Sequence, residues 1–174
     1  MFSGVEIMKR FFIFVFLFFG LAVSLYAKSE RMFIIERSKN ANIVCYDANI
    51  IEDGTINKAD PVDAYWLLYA KKNGEREELS TFDKKAYGFK VKYNETEKYF
   101  DFVLKAVKDK PMTIKIYDNI AKTVIKINDV DCFLEKVYIE SKDGAFGIPK
   151  VSFYELYGSE VSTGKFQKQK IDVK

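Results

Sequence analysis

Phe89-Lys90-Val91-Lys92-Tyr93, Met112-Thr113-Ile114-Lys115-Ile116 and Val124-Ile125-Lys126-Ile127 alternate apolar with polar residues. Successive side chains of a strand point to opposite faces, so a period of two puts one face on a core and the other in water. An antiparallel sheet with one wet side reads this way. The connections are short and turn-prone: Asn94-Glu95, Asp109-Lys110-Pro111, Asp118-Asn119 and Asn128-Asp129. Upstream, Met32 to Glu36 and Ile43 to Ile51 flank Ser38-Lys39-Asn40-Ala41-Asn42 and read as a hairpin. Val62 to Ala70 is an aromatic-rich strand, and Asn73-Gly74 is the dipeptide favoured in type I′ turns. Tyr99 to Val107, Cys132 to Ile139, Val151 to Leu156 and Phe166 to Val173 supply further strands.

The expected fold is therefore all-β and mainly antiparallel, a β-sandwich or up-and-down barrel of about 8–10 strands. Long helical crossovers are missing, so parallel pairing is not expected. One short helix is expected near residues 81–87. Ser80 and Asp83 have the spacing of a capping box, Phe82, Ala86 and Tyr87 would form its buried stripe, and Gly88 would end it.

The N-terminus reads as an export signal. Met8-Lys9-Arg10 precedes an apolar run from Phe11 to Val23, then Ser24-Leu25-Tyr26-Ala27 and a charged chain. The run is shorter than the roughly 20 apolar residues a bilayer span needs. Residues 1–27 are thus expected to be a signal peptide, cut after Ser24 or Ala27, and residues 28–174 a single β-rich domain. The destination would be the periplasm or the extracellular space, with the membrane involved only through the leader.

Composition narrows the chemistry. The chain has no His, which removes Ser-His-Asp and Cys-His nucleophile activation and histidine metal sites. It carries no GxSxG, GxxxxGK[ST] or GxGxxG motif. The formal net charge is only +3, with both signs interspersed, which argues against a nucleic-acid partner. Cys45 and Cys132 are the only cysteines; export makes a disulfide between them feasible, and two separate buried thiols are the equal alternative. No cofactor and no metal is expected. Asp47, Asn49, Glu52, Asp53, Asn57, Asp60 and Asp63 crowd one region but miss the EF-hand spacing, so a solvated loop is the simpler reading. Asn94-Glu95-Thr96 matches a glycosylation sequon, a pattern that chance often produces.

Arg37-Ser38-Lys39-Asn40 with Asn42, Val44 and Tyr46, then Pro61 with Tyr65-Trp66, form a recognisable set. Ala86-Tyr87-Gly88 and the closing Glu155, Tyr157-Gly158 and Thr163-Gly164-Lys165 extend it. Together they resemble the exported proteins grouped as the domain of unknown function 4833 family, over about Phe33 to Ile171. The resemblance implies an extracytoplasmic domain and carries no known activity, so no catalytic role transfers with it.

The candidate ligand-binding residues are Arg37, Asn40, Tyr46, Tyr65 and Trp66. An arginine fork suits a carboxylate or phosphate, and aromatics suit stacking. The structural alternative has Arg37 paired, Asn40 in a turn and Trp66 in the core. Three functions follow. The first is a non-enzymatic exported domain binding a small ligand or an envelope protein. The second is a carboxylate-dependent hydrolase of envelope polysaccharide, using an acid pair with one raised pKa. The third is a structural subunit that adds an edge strand to a neighbour.

Overall fold

The longest strand organises the sheet. In the computed structural model, which describes residues 28–143 and 149–173, it runs Val130–Asp143. In chain order the elements are β1 (Lys28–Arg37), β2 (Asn40–Ile50), β3 (Val62–Leu68), α1 (Tyr69–Lys72), β4 (Glu75–Glu78) and α2 (Asp83–Ala86). They continue with β5 (Phe89–Asn94), β6 (Tyr99–Leu104), a 3₁₀ turn (Lys105–Val107), β7 (Met112–Tyr117), β8 (Ile120–Ile127), β9 (Val130–Asp143), β10 (Pro149–Glu160) and β11 (Phe166–Asp172). The expected leader, residues 1–27, lies outside the described residues.

β9 holds β10 along one edge, and β11 follows β10. Its other edge is shared. The start of β9 pairs with β8, leading through β7 and β6 to β5. Further along, Lys136 to Ile139 pair with Ile34 to Arg37 of β1, leading through β2 and β3 to β4. These two arms diverge from β9 and face each other: Phe33 and Tyr46 on one arm meet Phe102 on the other, and Tyr46 meets Phe89. The result is one strongly curled 11-stranded sheet, within the sandwich-or-barrel class read from the alternation. The β1–β9 pair is parallel, against expectation. The chain reaches it by building both arms first, so a long route of hairpins replaces the helical crossover.

Period two decides what enters the core. Phe33, Ile35, Val44, Tyr46, Phe102, Leu104, Ile114 and Ile125 are almost wholly buried between the arms. Each contributes on the order of 2 kcal/mol relative to an exposed position. Asp118-Asn119 and Asn128-Asp129 have positive φ at both residues and close two-residue hairpins, as their type I′ chemistry requires. Asn73-Gly74 also takes positive φ, but it closes a longer loop: β3 stops at Leu68 and α1 intervenes before β4.

The Ser80–Asp83 capping box forms reciprocally: Ser80 N–H donates to Asp83 Oδ2 (3.1 Å) and Asp83 N–H to Ser80 Oγ (3.1 Å). The stripe expected for this helix does not form. Phe82 is 70% exposed and Ala86 is exposed, while Leu79 anchors the segment in the core. Gly88 follows the helix end, and only glycine fits there, since a Cβ would lie 2.3 Å from the Lys84 carbonyl oxygen. That close approach lets α2 lie against the 3₁₀ turn, where Lys105 N–H donates to Gly88 O.

Candidate functional site

Arg37 continues the inward row Phe33–Ile35 and emerges where the two arms end. Its guanidinium lies over the Trp66 ring, 4.5 Å from the centroid, and 5.8 Å from that of Tyr87. Trp66 and Tyr87 meet edge to face at 5.1 Å. Arg37 Nη1 donates to the Tyr87 hydroxyl (3.3 Å) and Nη2 to Asn40 Oδ1 (3.2 Å), whereas Nε is buried with no partner. Beneath this cluster the Tyr46 hydroxyl donates to the Tyr87 carbonyl (2.6 Å), with its ring stacked on Phe33 at 4.5 Å. Burial pushes the Tyr46 phenol far up, so it remains a neutral donor. Four of the five expected site residues (Arg37, Asn40, Tyr46 and Trp66) are therefore linked around Tyr87.

Beside them opens a cavity of about 310 Å³. The inner face of the β9–β10 pair supplies Ile139, Val151 and Tyr154; the α2 segment supplies Phe82, Ala86 and Tyr87. Arg37, Lys39 and Lys105 also line it, together with Asp83. Its lining is mainly apolar carbon with a few polar groups, the usual make-up of a small-ligand site. Trp66 and Tyr46 support this wall from below rather than line it.

Tyr65 is the fifth residue, and it does not join. Neighbours on a strand face opposite ways, so Trp66 turns into the core and Tyr65 to the outer face of β2–β3. There the Tyr65 hydroxyl donates to Asp47 Oδ2 (2.7 Å), Arg31 Nη2 donates to that hydroxyl (2.9 Å), and Arg31 Nε pairs with Asp47. Arg76 lies 3.8 Å from the Tyr65 ring centroid and bonds Asp63 at 2.6 Å. Asp47 and Asp63 are cross-strand neighbours, and an arginine engages each. That is a braced ion-pair network rather than two acids facing across a groove.

The remaining oxygen donors disperse. Asn49 Nδ2 donates to the Asp60 carbonyl, Asp53 accepts from Thr55, and Asn57 accepts from Ala59 N–H. No group of three or more acidic or cysteine side chains suited to a metal occurs among the described residues. Asn94 Oδ1 caps its own hairpin turn, accepting from Thr96 and Glu97 N–H. Cys45 and Cys132 are both free and buried, so the disulfide reading is corrected to two separate thiols. Cys45 pairs across β1 towards Lys136, which puts it two strands over, ~10 Å, and ~13 Å along from Cys132. A disulfide needs Cα atoms within roughly 7 Å. Burial pushes the Cys45 thiol up to about 11, and that of Cys132 up as well.

The sequence did not single out Lys105, Phe82, Ile139, Val151 or Tyr154 as site residues. They come from segments far apart in the chain, and only the divergence of the arms from β9 gathers them. The one local signal was an aromatic, Phe82, inside a capped, polar turn, and it was read as a buried position.

The model of the family described as Domain of unknown function (DUF4833) matches residues 33–170, and the chain belongs to that family. No curated protein and no solved structure matches the chain.

Proposed function

We propose that this member of the family acts as an exported, non-enzymatic binding domain, and that the cavity beside Arg37 is where its ligand sits. The observation that carries the reading is the make-up of that cavity: about 310 Å³, walled by Tyr87, Ile139, Val151 and Tyr154, under an exposed Phe82. Exposed aromatics next to a concave apolar surface favour binding, because covering both removes apolar area from water. The basic, apolar and small-residue order of residues 8–27 supports export to the periplasm or outside. The absence of histidine, and the arginine on each of Asp47 and Asp63, favour binding over acid–base chemistry.

Native mass spectrometry of the full chain, exported by its host and gently purified, tests this. Extra mass lost on denaturation is expected for the unaltered protein. It should be absent in Ala86→Trp, which fills the cavity from an exposed position. A bare chain under every gentle condition would refute the ligand-binding reading and direct attention to a protein partner.

A further inference from the structure

We infer that the cavity takes a small amphipathic carboxylate, with Arg37 and Lys105 receiving the anionic end and Tyr87, Ile139, Val151 and Tyr154 the apolar body. This rests on the cavity being the working site. Among the described lining residues, Arg37 and Lys105 bring positive charge to the cavity and Asp83 is the one carboxylate. That carboxylate is turned back to the capping box, where Oδ2 accepts from Ser80 Oγ (2.5 Å) and Ser80 N–H (3.1 Å). That leaves the positive charge of Arg37 and Lys105 at the cavity with no carboxylate paired to either among the described residues.

Arg37 is placed to use it. Stacking on Trp66 occupies one face of the guanidinium and leaves its edge, where a carboxylate can bind through two parallel hydrogen bonds. That edge is under-used at present. Its two bonds, at 3.3 and 3.2 Å, go to neutral oxygens of Tyr87 and Asn40, and Nε has no partner. Among the described residues no carboxylate pairs with Arg37, although five N–H donors are available on such a group. Lys105 Nζ is held by one bond, to the Lys84 carbonyl at 2.8 Å, and an ammonium has two further donors. A phenol is neutral at pH 7, and burial raises that of Tyr154 further, so its proton is there to donate.

Size bounds the ligand. At roughly 30 Å³ per water-sized group, 310 Å³ holds about ten non-hydrogen atoms. An eight-carbon fatty acid or an aryl carboxylate fits; a whole lipid does not.

Trp66 is the only tryptophan in the chain and sits under Arg37, so its fluorescence reports occupancy. The probes are octanoate, octan-1-ol and octylammonium, titrated into the full exported chain, with calorimetry alongside. Octanoate is expected to bind at least tenfold more tightly than octanol, and octylammonium more weakly than either. Arg37→Met, which keeps the packing over Trp66, should erase that preference, lowering octanoate affinity at least tenfold and octanol affinity by much less. Lys105→Gln, on an exposed residue, should reduce it about threefold and covers the case of Arg37→Met failing to fold. Equal binding of octanoate and octanol, blocked by Ala86→Trp, would overturn the anion assignment while the cavity reading stands. Preference for octylammonium would overturn it too. Capture of phosphatidylglycerol vesicles without octanoate binding would replace the free carboxylate with a lipid surface. Failure of every probe, with a bare native mass, would overturn both readings.

Discussion

Removing one hydroxyl, Tyr46→Phe, isolates the link between the core and the candidate site. The Tyr46 ring is wholly buried and held by rings on both arms: stacked on Phe33 at 4.5 Å, and edge-on to Phe89 and Phe102. A phenylalanine keeps all of that. What disappears is the 2.6 Å bond to the Tyr87 carbonyl, leaving that oxygen without its partner. A net hydrogen bond is worth about 1 kcal/mol, and an orphaned, partly buried acceptor adds a fraction more, so the expected loss is about 1.5 kcal/mol at pH 7. With a urea m-value of about 2 kcal/mol per molar, the midpoint should fall by roughly 0.75 M with m unchanged.

The pH dependence makes this prediction sharper. Burial raises the Tyr46 phenol above the unfolded value near 10, so its contribution is fully present below pH 10 and is lost as pH rises beyond it. The lost stability grows by about 1.4 kcal/mol per pH unit. Phenylalanine has no such titration. The advantage of the unaltered protein should therefore shrink above pH 10 and vanish about one unit higher, near pH 11. The burial-raised phenols of Tyr65 and Tyr154 and the two thiols are common to both proteins and cancel in the difference. A difference that stays flat from pH 8 to 11 would falsify the buried-neutral-phenol argument.

Two further outcomes check the parts of the molecule away from the cavity. Asp47→Asn should cost about 2 kcal/mol in urea unfolding, because it leaves Arg31 without its charge partner; partial exposure of Arg31 keeps the loss below that of a fully buried pair. Ligand uptake at the cavity should be unaffected, and a selective loss of binding without loss of stability would reverse the structural assignment of this face. Both cysteines should resist a water-soluble thiol reagent in the folded protein at pH 8 and react fully in urea, since burial raises both thiols. A mass two units below that of the reduced chain would show a bond where free thiols are expected.

Strands and their tight turns were readable in the chain because their causes are local. Alternation over Phe89–Asn94 and Met112–Tyr117 follows from one wet face, and Asp118-Asn119 and Asn128-Asp129 favour the positive φ they adopt. Edge strand β4, Glu75-Arg76-Glu77-Glu78, was not readable: every residue is exposed, so no apolar partner marks it. Charge on both sides of an edge is what keeps it from pairing with another chain. Phe82 misled in the opposite sense, since its apolar character suggested a core position that Leu79 takes instead. The parallel β1–β9 pairing was beyond reach for a different reason. It depends on where the two arms leave β9, a property of bulges and register that alternation alone does not encode.

The same alternation accounts for why the expected site residues split. Tyr65 and Trp66 are adjacent, and a sequence reading naturally pools two neighbouring aromatics into one surface. On β3 they must part, and each then recruits an arginine of its own: Arg76 over Tyr65 at 3.8 Å, Arg37 over Trp66 at 4.5 Å. The two stacked cations differ in what surrounds them. Arg76 has Asp63 and Glu78 within bonding distance, so its charge is already answered from within the fold. Among the described residues Arg37 has only neutral oxygens, beside a cavity whose one described acid is committed to the capping box. A stacked arginine answered by carboxylates is structural, and one left without them beside an opening is positioned for an anion from outside. That contrast, rather than the stacking both share, is what separates the candidate site from the brace on the opposite face.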